Sequence, residues 1–392
     1  TNGWCILAAS REAKALGVKT GMRVGMGKAI IPGLTVLTPD PPKYRFVNRK
    51  LLGLLQRFSS QVEVKSIDEM VVSMGVAQQF WHKAKNFSSV GLAMEDTARE
   101  IKQSIKEEIG EWLTVSVGIS TNRYLAKVAS GLHKPDGLDT ITGENAKTIF
   151  SAMQVEELCG IKTGYGSRLR RFGITTALAM YNAPIKTLMA AFSSIVGYHW
   201  WLRLHGWEAD DRQFDRKSFG QSYAFGKKSI FPDPMSTQIL CQLCQKMARR
   251  MRMAGYSARG IHCSVLFTDG SFWHKGALYP NRLLSGSDCF TKAKTVLSRA
   301  PQNRIRILAV SVYCLLPKNQ TQLGLFETEV KKEQLTAALD TIDEKWGAGS
   351  VFPGTLLSMD TKIQDRISFG GVKELEEYVF RSDNSSEPAA VL

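Results

Sequence analysis

The chain has 392 residues, is 44% hydrophobic and 22% charged, and carries a formal net charge of +15. Length excludes a single ordinary core, the lack of any run of 18 or more apolar residues argues against a membrane partner, and seven scattered cysteines argue against a disulfide-stapled secreted scaffold. These features predict a cytoplasmic protein of two to four domains whose basic surface meets a polyanion.

Residues 4–9, WCILAA, read as a buried strand, and Ser10 is predicted to cap a short helix, REAKAL, that Gly17 ends. A loop-rich stretch follows. Tyr44 to Phe58 has helical periodicity. Two strands are expected around 62–66 and 69–74, with Asp68 between them and the adjacent acid Glu69 opening the second. Side chains alternate along a regular strand, so neighbouring acids would point apart, and a bend is expected at Ile67–Glu69. A helix from about Met94 to Ile109 and a strand over 113–119 come next. Thr121 is predicted to cap a helix whose Leu125, Val128, Ala129 and Leu132 share one apolar face. That helix stops at HKPDG, because the residue before a proline disfavours the helical region and Asp-Gly favours a turn. The mixture predicts an α+β sheet domain up to about residue 141.

Residues 142–213 look all helical. Within them CGIKTGYGSRLRRFGI, 159–174, suggests two short helices around a Gly-rich hairpin. Backbone N–H groups there, at Gly160, Gly164 and Gly166, with Arg168 beside them, would bind phosphate without reading sequence. Between Arg216 and Pro317 lie sixteen Lys and Arg against three acids, which is nearly all of the excess charge. The elements of this basic module order as βαββαβ, the ferredoxin-like order, with one sheet face for the helices and one open. Cys241 and Cys244 form a CxxC inside a helical pattern, without a second ligand pair for zinc. The segment 318–392 is expected to hold a linker, a helix from about Lys332 and a disordered end.

VKSIDE, followed about fifty residues later by LTVSVGISTNRYLAKVASGLHKPDGL, resembles the Y-family translesion DNA polymerases of bacteria. The order of modules is similar to theirs as well. The resemblance implies an α+β multi-domain polymerase: partial fingers over 1–40, palm over 41–141, helical thumb over 142–213, little finger over 217–317, and a tail over 318–392. It implies template-directed translesion synthesis by two-metal nucleotidyl transfer, in DNA repair and SOS mutagenesis. Asp68 and Glu69 match the family's metal-binding pair, for two Mg²⁺ ions. Lys134 matches the lysine that contacts the triphosphate of the incoming dNTP, and Lys14 and Arg11 fall at finger-side nucleotide positions, Arg11 where many members have Tyr. Lys217, Ser218, Lys227, Lys228, Arg259 and Arg304 become contacts to primer-template DNA. AKALGVKTG leans toward polymerase V catalytic subunits, with a possible accessory mutagenesis protein, and HKPDGL toward polymerase IV.

The family's first metal-binding Asp lies on an N-terminal strand, and neither Glu12 nor Asp40 matches it. The expectation is that roughly 35 to 40 residues precede Thr1, and that these residues alone bind primed DNA but extend it poorly. QLGLF resembles the clamp-binding peptide of bacterial polymerases, with Gln322, Leu323, Leu325 and Phe326 entering a groove of the sliding clamp. The alternative reading is a non-catalytic DNA- and clamp-binding adaptor of a mutagenesis complex.

Overall fold

The computed structural model describes residues 5–76, 90–211, 216–226, 229–317, 327–347 and 349–357. They form two compact units: residues 40–211, and residues 5–39 together with 216–357. Lys227, Lys228 and the QLGLF stretch lie outside the described residues.

In residues 5–39, the Ser10 hydroxyl accepts from the Ala13 N–H and caps α1 (Arg11–Ala15). Gly17, at φ +99°, ends that turn, and α2 (Val24–Ile30) follows. The strand expected over WCILAA does not form among the described residues. Cys5 makes one isolated bridge to Arg23, and both backbone groups of Ile6 bond to the 21–22 loop. An apolar run becomes a strand only where another strand pairs with it, and its sequence alone does not supply one.

In the unit 40–211, Asp40 accepts from Lys43 N–H and Pro41 opens α3 (Pro41–Leu55). A hairpin of β1 (Val62–Val64) and β2 (Met70–Val72) follows, in antiparallel register with Glu63 opposite Val71. Helix α4 (Val90–Glu108) packs Ile101 and Ile105 against Leu54 and Leu55 of α3. Strands β3 (Val117–Ser120) and β4 (Leu138–Ile141) pair in parallel, joined through α5 (Arg123–Leu132). Gly118 permits this close approach, since a methyl there would lie 1.9 Å from the Ala126 carbonyl oxygen.

Helix α5 is capped one residue later than its sequence suggests. Asn122 accepts from Leu125 N–H at 2.7 Å, while its amide donates to the carbonyls of Arg203 and Trp207, each at 2.9 Å. Thr121 instead donates to the Gly206 carbonyl. An amide side chain has both acceptor and donors, so it can cap one helix and tie down another segment; a hydroxyl has less reach.

The helical stretch is as expected: α6 (Ala146–Ser151), α7 (Thr163–Arg171), α8 (Ala177–Asn182), α9 (Ile185–Phe192) and α10 (Val196–Leu204). Leu125, Val128 and Ala129 of α5 share one core with Phe150, Leu158, Leu169, Leu188 and Leu204. Each large side chain removed from water there is worth about 1.5–3 kcal/mol.

Residues 216–317 give β5 (Ser218–Ala224), α11 (Pro234–Met253), β6 (Tyr256–Phe267), β7 (Phe272–Leu283), α12 (Gly286–Leu297) and β8 (Ile305–Pro317), the predicted βαββαβ order. The sheet runs β5-β8-β6-β7 with every neighbour antiparallel. Thus β5 and β6 run parallel with β8 between them, and β7 and β8 run parallel with β6 between them. The inward positions predicted on α11, Leu240, Leu243, Met247 and Met251, are all buried. A last helix, α13 (Glu327–Trp346), is held to the same unit by charge: Arg252 grips Asp340 through two hydrogen bonds of 2.6 and 2.7 Å.

Candidate active site and nucleic-acid surfaces

The SIDE sequence forms the turn of the β1–β2 hairpin. Lys65 and Ser66 both donate their N–H groups to the Glu69 carbonyl, at 2.9 and 3.1 Å, so the chain bends sharply at 66–68. Ser66 and Ile67 are buried, while Asp68 and Glu69 are exposed. The turn therefore pushes two carboxylates outward from an anchored backbone. Ser66 donates its hydroxyl to Asp68 Oδ1 at 2.6 Å, and Glu69 is ion-paired with Lys127 of α5. Lys65 turns instead to Glu63, which also meets Arg123 at 2.6 Å.

Among the described residues, no group of three or more His, Cys, Asp or Glu forms a metal cage. The pair still suits one kind of cation. Magnesium takes oxygen ligands, keeps several waters, and is usually held by one or two carboxylates plus substrate phosphates. Asp68 and Glu69 supply two hard-oxygen groups on an exposed turn.

Lys134 is exposed in the loop after α5, and no described hydrogen bond or ion pair joins it to Asp68 or Glu69. Its loop is tightly held. The Lys102 ammonium lies 2.9 Å from Asp136 Oδ1, and Lys106 approaches the other carboxylate oxygen at 3.4 Å. The hydrogen bond from Lys102, partly opposed by burial, holds the Asp136 carboxyl below its usual range. His133 ends α5 and meets Asp139 at 2.6 Å. Asn48, whose amide donates to the Ser66 and Ile67 carbonyls, and Lys102 carry structural duties at these two turns that the sequence did not disclose. Arg11 and Lys14 stand exposed on α1, in the other unit.

Within 159–174 one helix forms in place of the two expected, α7 (Thr163–Arg171), and the turn nearest before it, a 3-10 turn at Val155–Glu157, lies outside the segment. Gly160 adopts φ +97° against the Trp200 ring. The N–H groups of Thr163, Gly164 and Tyr165 have no partner among the described residues, so α7 presents an open N-terminus. Gly166 does not contribute: its N–H bonds to the Lys162 carbonyl, and the space of a Cβ is filled by Glu156. Arg168 is exposed beside the Tyr165 ring.

On the βαββαβ unit the sheet face away from the helices carries many small residues, with the larger Tyr313, His262 and Leu278 among them. Ser218, Gly220 and Ser222 of β5 lie beside Tyr313, Ser311 and Ala309 of β8, and these beside Gly260, His262 and Ser264 of β6. Lys217, Arg259 and Arg304 are exposed around this face, Arg259 at a bulge in β6. Burial and the neighbouring His274 keep His262 below the usual histidine range.

An acidic turn beside a lysine-bearing helix, an open helix N-terminus and a basic split βαβ sheet are features of an enzyme that handles nucleic acid. The fold is that of the Y-family DNA polymerases: a Y-family DNA polymerase chimera matches with a TM-score of 0.67 at 21% identity, over 81% of this chain and 89% of that one. The chain belongs to the impB/mucB/samB family, matching its main profile over residues 2–131 and its C-terminal domain over 216–325. Among its relatives are two proteins named DNA polymerase IV. That of Pelotomaculum thermopropionicum is 28% identical, covering 92% of this chain and 88% of the relative. That of Clostridium acetobutylicum is 27% identical, covering 91% and 88%.

Proposed function

We propose that this protein is a DNA-directed DNA polymerase that carries out translesion synthesis on primer-template DNA. The observation that carries the reading is the SIDE turn, which displays Asp68 and Glu69 outward on a backbone that is itself buried and hydrogen-bonded. The adaptor reading is not favoured: the relatives carry a polymerase name along almost their whole length.

Asp68 and Glu69 hold divalent cations, with Mg²⁺ the species that suits their oxygen donors and two ions the number the chemistry asks for. When bound, these ions activate the attacking 3′ oxygen and neutralise the triphosphate. Ser66 keeps one Asp68 oxygen oriented, and Lys127 would share Glu69 with a bound cation or give it up. Lys134, on its braced loop, offers an ammonium to the dNTP triphosphate, and Lys14 and Arg11 add charge from the finger segment. The open N–H groups at Gly164 and its neighbours, with Gly160 shaping the turn and Arg168 alongside, bind a DNA phosphate. The little-finger sheet receives the duplex on its open face while Lys217, Ser218, Lys227, Lys228, Arg259 and Arg304 meet phosphates. Gln322, Leu323, Leu325 and Phe326 dock on a sliding clamp, and an accessory mutagenesis protein is a further partner. A DNA substrate suits a cytoplasmic enzyme.

Primer extension with Mg²⁺ and all four dNTPs tests the proposal. Asp68→Ala or Glu69→Ala should lower the rate by about 100-fold or more while leaving duplex affinity intact. Unchanged extension by both variants would overturn it. Replacing Lys217, Arg259 and Arg304 with Ala should weaken DNA binding and make it less sensitive to salt. The log–log slope should flatten by about 0.9 for each phosphate that is no longer neutralised.

A further inference from the structure

We infer that Asn48 is a positioning residue for the Asp68 carboxylate, acting through the backbone of the Ser66–Glu69 turn. The inference rests on the reading of that turn as a cation site.

Asn48 lies on α3, on the face that also carries Leu51 and Leu55. It is 3% exposed. A polar amide on an otherwise apolar helix face is costly unless its hydrogen bonds are made. Here the Asn48 amide donates to the Ile67 carbonyl at 2.9 Å and to the Ser66 carbonyl at 3.4 Å. Those two carbonyls belong to the bend that presents the acids. The hairpin ladder does not reach them: the bonds across the turn use the N–H groups of Lys65 and Ser66 and the carbonyl of Glu69. Without Asn48, two buried carbonyls would lose the donor they have here.

Holding those carbonyls fixes the peptide planes on both sides of Ile67. The second of these planes carries the Asp68 N–H, which points to Ser66 Oγ at 3.3 Å, while the same hydroxyl donates to Asp68 Oδ1 at 2.6 Å. The chain of contacts runs from a rigid helix, through two carbonyls and one serine, to one carboxylate oxygen. It leaves the other oxygen available for an ion. Outer residues that orient a ligand in this way typically cost 10–100-fold in metal affinity when replaced.

The test uses the full chain and Mn²⁺ as the probe. Binding is followed by the loss of the free-ion magnetic resonance signal, with duplex-DNA affinity and thermal melting measured on the same samples. Asn48→Asp keeps the shape but puts an acceptor against two carbonyls; Asn48→Ser shortens the reach; Asp68→Ala is the reference. We expect Asn48→Asp to raise the half-saturating Mn²⁺ concentration about tenfold, and Asn48→Ser by less, with DNA affinity unchanged. A folded Asn48→Asp with wild-type Mn²⁺ affinity overturns the inference. If it does not melt cooperatively, Asn48→Ser decides by the same criterion. If neither variant folds, the residue serves folding and the inference falls. Should Asp68→Ala itself bind Mn²⁺ normally, the cation reading of the turn fails instead.

Discussion

Lys102 of α4 holds Asp136 in the loop that carries Lys134: its ammonium sits 2.9 Å from Asp136 Oδ1 and donates to the Asp136 and Gly137 carbonyls as well. Asp136 has φ +58°, a conformation that Asn tolerates at least as well as Asp. Asp136→Asn should therefore keep the turn and remove only the ionic grip. We expect a several-fold rise in KM for the incoming nucleotide with DNA affinity unchanged, measured by single-nucleotide insertion. An unchanged KM would show that Lys134 needs no such bracing. The pH dependence has a definite sign. The folded carboxyl titrates below its unfolded value of about 3.9, so its stabilisation is complete above that value and is lost as pH falls through the lower folded one.

Glu69 and Lys127 neutralise one another across the hairpin and α5. A cation entering beside Glu69 must displace the ammonium or share the carboxylate with it. Lys127→Met keeps most of the aliphatic stem and removes the competing charge. Mn²⁺ titration of this variant should show a half-saturating concentration a few-fold lower than that of the parent. Weaker binding would mean that Lys127 organises Glu69 for the ion rather than competing with it.

Much of the fold was legible because periodicity and caps are local signals. Ser10, the apolar face of α5 and the four inward residues of α11 could all be read from spacing. The acidic pair was legible from its motif. What could not be read depends on distant partners. Asn48 looks like an ordinary helix residue until the turn it serves lies against it, although a polar residue in step with Leu51 and Leu55 is a faint signal. Lys102 reads as solvated charge, yet it reaches across thirty-four positions to Asp136. WCILAA has strand composition, but among the described residues only an isolated bridge at Cys5 forms. Gly166 reads as a phosphate contact, whereas its missing side chain makes room for Glu156.

Gly160 and Gly164 separate backbone shape from backbone donation in the α7 hairpin. Gly160 is at φ +97°, and a Cβ there would lie 3.3 Å from the Trp200 ring. Gly160→Ala should destabilise the protein by about 1–2 kcal/mol and weaken DNA binding with it. Gly164 has no atom within 4 Å of its Cβ position and an ordinary φ. Gly164→Ala should leave thermal stability unchanged or raise it slightly, because alanine favours the helix. If both variants melt alike, the left-handed turn at Gly160 is not a constraint.

The seven cysteines should divide by reactivity. Cys5, Cys159 and Cys314 are exposed, whereas Cys241, Cys244, Cys263 and Cys289 are buried in the βαββαβ unit. Burial pushes the thiol of Cys241 up to about 11 and those of Cys263 and Cys289 up to about 12. A charged thiol reagent at pH 8 should label three residues quickly and the other four only in denaturant. Fast labelling of a fourth would mean that this core opens readily.

Tyr313 lies across the open sheet face, and two glycines make room for it. A Cβ on Gly260 would sit 2.6 Å from the ring, and one on Gly276 would sit 3.1 Å from the hydroxyl. Gly260→Ala must lift the ring away from the sheet or shift the β6–β8 register around Tyr313. Overpacking of this kind costs about 1–3 kcal/mol, visible as a lowered melting temperature. The lifted ring would also raise a ridge between Ser218 and Leu278, the outer neighbours of Tyr313 and Gly260 in that row of the sheet. A duplex resting there would lose its flat support, so DNA affinity should fall further than stability alone explains. Tyr313→Phe keeps the ring and should leave both quantities close to those of the parent. If Gly260→Ala lowers the melting temperature but binds duplex normally, the DNA rests on the basic border and does not touch this row.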